Sequence, residues 1–124
     1  MSGNKKILYI DDEEINLQLF KHIFSKKYDI ITEYCGLDGL NTLKIIPDIK
    51  VIICDMKMPN MNGLEFVTKA KHIYNDKIYF ILSGYDITDE IKMAIESKLI
   101  EDYFRKPFNI VAIETEIDKV MNKF

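Results

Sequence analysis

The chain has 124 residues, 48% of them hydrophobic, with 17 basic against 20 acidic side chains and a formal charge of −3. That length suits a single domain over residues 1–124 built on one core, and so small a charge imbalance supplies no global field to recruit nucleic acid or anionic lipid. The longest apolar runs are about five residues, far short of the roughly 20 needed to span a bilayer, and the start Met-Ser-Gly-Asn-Lys-Lys has no apolar signal segment, so membrane insertion is not expected and a cytoplasmic location is.

Short apolar runs alternate with segments of helical period, which is the pattern of strand–helix units. Lys6–Ile10 reads as the first strand. In the helix that follows, Ile15, Leu19 and Ile23, flanked by Phe20 and Phe24, recur at three- and four-residue spacing as an apolar stripe, and Asp12, Glu13 and Glu14 suit the helix N-terminus. Asp29–Glu33 reads as the second strand and 37–46 as the second helix. The third strand, 50–54, contains Val-Ile-Ile-Cys without polar alternation, as expected of a central parallel strand covered on both faces. A helix over 63–74, a strand over 78–82, a helix over 87–98, a strand over 102–104 and a helix over 110–122 complete the chain. Val111, Ile113, Ile117, Val120 and Met121 form the inner stripe of the last helix. Five such units predict an α/β fold, a doubly wound parallel sheet with helices on both faces, whose crevice lies at the carboxyl ends of the strands where their order reverses. Cys35 and Cys54 lack metal-ligand spacing and read as buried free thiols.

Three aspartates fall where strands end: Asp11 and Asp12 after the first, and Asp55 after the third. Acids that open a helix commonly cap it, and an acid in a turn is commonly solvated, so each has an ordinary structural explanation alone. Together they imply a shared polar pocket with a cation in it, because a carboxylate at the end of an apolar strand cannot hide in the core. Ser83 follows the fourth strand, and Lys106 with Pro107 follows the fifth. Singly these would be a turn residue and a solvated cation. Joint placement at four strand ends brings a hydroxyl and an ammonium to the acids. Such a cluster suits a hard divalent cation held through oxygen, magnesium first. With that charge and Lys106 screening repulsion, a phosphoryl group can approach one carboxylate, which acts as nucleophile to give an acyl phosphate. Ser83 can then bond a phosphoryl oxygen.

The set Asp11-Asp12, Asp55 with Met58-Pro59 and Gly63, Ser83-Gly84, and Tyr103 followed by Lys106-Pro107-Phe108 resembles the receiver domain of two-component response regulators, of the chemotaxis-regulator kind. The resemblance covers nearly the whole chain. It implies a flavodoxin-like (βα)5 fold with strand order 2-1-3-4-5. It implies that Asp55 is the phosphoacceptor, charged by a histidine kinase or a histidine phosphotransfer protein. Asp12, Asp55 and the Lys57 backbone carbonyl would ligate Mg²⁺ (or Mn²⁺), with Asp11 acting largely through water. Lys106 would pair with the phosphoryl group, Ser83 would be the switch hydroxyl, and Tyr103 would be the aromatic residue that turns inward with it. The Lys106–Pro107 bond is expected to be cis, an arrangement found in only about 5% of X–Pro bonds at large. The implied role is a signalling switch with self-phosphorylation and autodephosphorylation chemistry, not an enzyme. Output would pass through the fourth helix, fifth strand and fifth helix to a protein partner or a fused output domain, with homodimerisation on phosphorylation an open outcome.

Some positions depart from the family pattern. Leu99-Ile100 stand where Gly-Ala is common, and a non-glycine residue in a left-handed helix cap costs about 1 kcal/mol, so a rebuilt turn is expected there. Lys57 and Tyr85 flank the path of an attacking water in this family and are expected to alter the lifetime of the acyl phosphate, unless Lys57 simply reaches into solvent. Two other classes fit these residues less well. A haloacid-dehalogenase-type phosphohydrolase needs a second acid two residues after its nucleophile, where this chain has Lys57. An interaction module with an idle pocket would have no use for the retained acids, Ser83 and Lys106. A stand-alone receiver and the receiver of a longer regulator or hybrid kinase both fit the sequence.

Overall fold

Five strands, β1 (Lys6–Ile10), β2 (Asp29–Glu33), β3 (Val51–Asp55), β4 (Ile78–Ser83) and β5 (Asp102–Arg105), pair in parallel in the order β2-β1-β3-β4-β5. The structure is a computed structural model and describes residues 5–123. Five helices connect and follow the strands: α1 (Glu14–Phe24), α2 (Gly36–Ile45), α3 (Gly63–Ile73), α4 (Asp89–Glu96) and α5 (Ile110–Met121). This is the fold and strand order that the sequence implied. Among the described residues no helix is long and apolar enough to cross a membrane.

Period-two alternation sorts each strand's side chains onto two cores. Ile7, Tyr9, Val51, Ile53, Phe80 and Leu82 point to one face, which α1 covers with Leu17, Phe20 and Phe24 and α5 with Ile113, Ile117, Val120 and Met121. Leu8, Ile10, Ile52, Cys54, Tyr79 and Ile81 point to the other, beneath Leu43 of α2, Phe66, Val67 and Ala70 of α3, and Ile91 and Ala94 of α4. Strand β3 is buried along its whole length, as a central parallel strand must be. At the amino ends of the strands the buried ammonium of Lys77 donates to the carbonyls of Pro47 (2.7 Å) and Ile49 (2.6 Å), and burial holds its pKa below the ordinary lysine value.

Several elements differ in detail from the sequence reading. Ile15 and Leu19, expected on the inner stripe of α1, are 77% and 45% exposed. The helix instead turns Leu17, Phe20 and Phe24 inward, a phase that buries both aromatic rings, and large rings dominate the gain from burial. Val111 of α5 likewise faces out, while the other four residues of its expected stripe are buried. Cys54 is wholly buried, but Cys35 is only half-buried because it is the residue that precedes α2 rather than part of a strand; both thiols are free. Helix α4 is shorter than 87–98 because the Thr88 side chain accepts from the Ile91 amide (3.2 Å) and so starts it later, and Ser97 ends it.

The expected rebuilding after α4 is centred on Lys98, which adopts the left-handed conformation at φ 64°. The amides of Leu99 and Ile100 both bond the Ala94 carbonyl (2.9 and 3.2 Å), and the Lys71 ammonium of α3 donates to the Lys98 carbonyl. A cation at a helix C-terminus is favourable there, and it ties α4 to α3. Since a Cβ in the left-handed region is disfavoured, Lys98→Gly raises the unfolding free energy by about 0.5–1 kcal/mol, read as a higher denaturant midpoint with unchanged slope.

Candidate functional site

The strand phases decide what meets at the carboxyl edge of the sheet. Asp11 follows β1 in phase with Ile7 and Tyr9, and Asp55 ends β3 in phase with Val51 and Ile53, so both carboxylates rise from the α1/α5 face. β1 and β3 are adjacent, with Ile10 beside Cys54. The acids therefore stand next to each other, and oxygens of Asp11, Asp12 and Asp55 lie within 4.8 Å of one another. Asp11 and Asp55 are buried and Asp12 is exposed, so the cluster meets solvent at Asp12.

Lys106, just past β5, reaches across this cluster. Its ammonium lies 2.9 Å from Asp55 Oδ1 and 3.2 Å from Asp11 Oδ2. Burial opposes its charged form, but hydrogen bonding and attraction from Asp55 and Asp11 outweigh that and hold its pKa above the ordinary lysine value. Asp11 has further donors: the Tyr9 hydroxyl at 2.6 Å to Oδ2 and the Glu13 amide at 3.0 Å to Oδ1. Burial pushes the Asp55 carboxyl up to about 6; Lys106 works against the rise, and repulsion from Asp11 and Asp12 adds to it. Burial also keeps the neighbouring Cys54 thiol neutral by raising it well above its ordinary value.

The loops around the acids are built to different tolerances. After Asp55 the chain turns through Asn60 at φ 69° to α3, whose N-terminus is closed by reciprocal bonds of 2.9 Å between Asn62 and Glu65. Gly63 comes so close to β3 that a Cβ there would sit 2.6 Å from the Asp55 carbonyl oxygen, a contact only glycine avoids. On the β4 side, Ser83 is buried and its Oγ accepts from the Tyr85 amide at 3.2 Å. The exposed Lys57 ammonium lies 3.3 Å from the Tyr85 hydroxyl and 5.3 Å from the centre of its ring, so these two side chains join the loop after β3 to the loop after β4. The Lys106–Pro107 peptide bond is cis.

Three clustered carboxylates of this kind fit a hard divalent cation bound through oxygen. A family model described as the response regulator receiver domain matches residues 7–118. The chain belongs to that family. Receiver domains are generally phosphoacceptor switches of two-component signalling, with an acidic pocket that binds Mg²⁺. Among proteins similar to this receiver, Sporulation initiation phosphotransferase F of Bacillus subtilis is 31% identical over 95% of this chain and 94% of its own length. Response regulator ArlR of Staphylococcus aureus is 32% identical over 95% of this chain and 53% of its own length. Hydrogenase transcriptional regulatory protein HoxA of Cupriavidus necator is 24% identical over 82% of this chain and 21% of its own length. The chain thus spans between a fifth and about half of the length of the last two. A receiver domain protein from Clostridium thermocellum superposes with a TM-score of 0.89 at 29% identity, covering 96% of this chain and 95% of its own. Chemotaxis protein CheY4 of Vibrio cholerae gives 0.86 at 25% identity over 95% of this chain and 99% of its own.

The receiver places Asp11, Asp12, Asp55 and Lys106 together and sets Ser83 at the end of β4, opposite Arg105 of β5. Tyr103 sits half-buried on β5 and packs toward the α2/α3/α4 side. Lys57 lies in the loop directly after the acid strand, with its side chain turned to Tyr85. The sequence reading missed Tyr9, whose hydroxyl is bound to Asp11. A signal was there: a tyrosine two residues before a strand-end acid shares its face, and a buried phenol needs a hydrogen-bond acceptor.

Asp55 sets a pH dependence of stability. Its carboxyl is raised to about 6 in the folded protein, against about 3.9 when unfolded, so the native state holds the proton more tightly and loses stability as pH rises from about 4 to 6. Without divalent cations at pH 7.5, Asp55→Asn is therefore more stable than the parent by about 1–2 kcal/mol. Thermal melts in chelator show that gap closing below about pH 4, and added Mg²⁺ stabilises the parent more than the variant.

Proposed function

We propose that this receiver is a phosphorylation-dependent signalling switch in which Asp55 accepts a phosphoryl group from a phosphohistidine on a kinase or phosphotransfer protein. The observation that supports this most is the clustering of Asp11, Asp12 and Asp55 at the carboxyl edge of the sheet, with the Lys106 ammonium on Asp11 and Asp55. Asp12, Asp55 and the Lys57 carbonyl would hold Mg²⁺ (or Mn²⁺), with Asp11 behind them through water; the cation supplies positive charge against the phosphoryl oxygens. A carboxylate oxygen of Asp55 attacks phosphorus, and the phosphorus–nitrogen bond breaks with its electron pair leaving on the imidazole. Lys106 exchanges Asp55 Oδ1 for a phosphoryl oxygen, and Ser83 gives up the Tyr85 amide and donates to another. Freed from that turn, the loop after β4 shifts and Tyr103 moves inward. That movement carries the signal to the face of α4, β5 and α5, which a protein partner or a fused output domain reads. Residues 1–124 act as one cytoplasmic receiver module in this reading.

Incubation with acetyl phosphate and Mg²⁺ adds one phosphoryl group by intact mass, and Asp55→Asn abolishes it. No adduct under any donor, a cognate kinase included, would sink the assignment.

The contact between Lys57 and Tyr85 joins the loops after β3 and β4, and in this reading it flanks the path of the water that attacks the acyl phosphate. Removing either partner widens that approach. Lys57→Ala and Tyr85→Ala each lose phosphate on the order of fivefold faster, equivalent to about 1 kcal/mol of barrier. Loss of radiolabel from the purified phosphoprotein measures this, and unchanged rates in both variants would leave Lys57 as a side chain that simply extends into water.

A further inference from the structure

We infer that Tyr9 is a positioning residue of the acid pocket: its hydroxyl fixes the Asp11 carboxylate and remains the donor to Oδ2 when Lys106 turns to the phosphoryl group. The inference rests on reading the pocket as a cation and phosphoryl site.

Tyr9 and Asp11 are both 0% exposed, and the bond between them is 2.6 Å. Asp11 Oδ2 has two donors, the Tyr9 hydroxyl and the Lys106 ammonium at 3.2 Å, while Oδ1 has the Glu13 amide at 3.0 Å. Of the donors to Oδ2, Lys106 is the one that phosphorylation calls away. A buried carboxylate oxygen left without a donor is costly, so the departure of Lys106 is tolerable only if another donor stays. Tyr9 can stay because its ring cannot swing. It is stacked on Phe20 at 4.2 Å and 17°, and Phe108 meets it edge-on at 6.1 Å and 79°. Phe108 lies two residues past Lys106, so the same ring also braces the loop that brings the ammonium in. The ring alone would serve the α1/α5 core; the hydroxyl serves Asp11. Loss of a partner that orients a direct metal ligand typically weakens metal affinity by 10–100-fold, and because Asp11 acts through water the effect of its own partner is smaller.

The test is a Mg²⁺ titration of the full, ¹⁵N-labelled chain, followed by amide shifts of Asp12, Met56 and Lys57. Tyr9→Phe keeps the ring and removes the donor, and its Mg²⁺ dissociation constant is expected to rise by roughly three- to tenfold. Phe24→Leu, which disturbs the same aromatic core without touching Tyr9, should bind Mg²⁺ as the parent does, separating the hydroxyl from packing. In the parent, the Tyr9 hydroxyl proton, protected from exchange by burial, should persist downfield when Mg²⁺ and then beryllofluoride are added. This readout does not depend on any variant folding. Affinity unchanged in Tyr9→Phe, or loss of the hydroxyl resonance on adding Mg²⁺, would overturn the role of Tyr9 while leaving the pocket intact. A parent chain that binds no Mg²⁺ would overturn the reading of the pocket and the inference with it.

Discussion

Three clustered carboxylates at the edge of a hydrophobic sheet, two of them held on one ammonium, are an electrostatic problem that the rest of the molecule is arranged around. Two of the acids are buried, where charge is expensive and repulsion is poorly screened. The problem exists because β1 and β3 are neighbours in a parallel sheet, so the residues that end them lie side by side however the helices are packed. It is contained because Lys106, from the far strand β5, is long enough to reach back across β4 to both buried acids. A pocket so balanced gains from any added positive charge and changes its hydrogen bonding when a new anion arrives, which is what a switch requires.

The two helical layers serve this pocket unequally. α1 and α5 enclose the aromatic group of Tyr9, Phe20 and Phe108 directly beneath Asp11, so the floor under that acid is rigid and its geometry is set by ring packing. On the opposite face α4 is only eight residues long, leaves Met93 exposed and is tied to α3 by the Lys71 ammonium on the carbonyls that end it. The charges thus rest on the ring-packed side.

Much of this could be read from the chain. The strands were legible because each is a short apolar run bounded by turn residues, and β3 in particular has no polar residue before Asp55. The acids and Lys106 were legible because each follows such a run. Helix phase was less so: with Ile15, Leu19 and Ile23 in α1 beside Leu17, Phe20 and Phe24, two overlapping apolar stripes compete, and only packing against the sheet decides that the aromatic one turns inward. The left-handed residue after α4 fell on Lys98 rather than Leu99 for a similar reason. Its position depends on where the helix stops, and there the Lys71 ammonium of α3 holds the Lys98 carbonyl. The partner of Asp11 escaped because tyrosine reads as a β-former before it reads as a donor.

The glycines flanking the pocket have opposite surroundings. A side chain at Gly63 would collide with the backbone of Asp55, whereas at Gly84 a Cβ would meet nothing within 4 Å. The wall formed by α3 is therefore wedged against the acid strand and has no slack to take up. The β4–α4 loop has open space beside Gly84 and is held through side chains, Tyr85 to Lys57 and Asp86 to Arg105. In the proposed switch, new charge on Asp55 therefore finds clearance on the β4–α4 side and none on the α3 side.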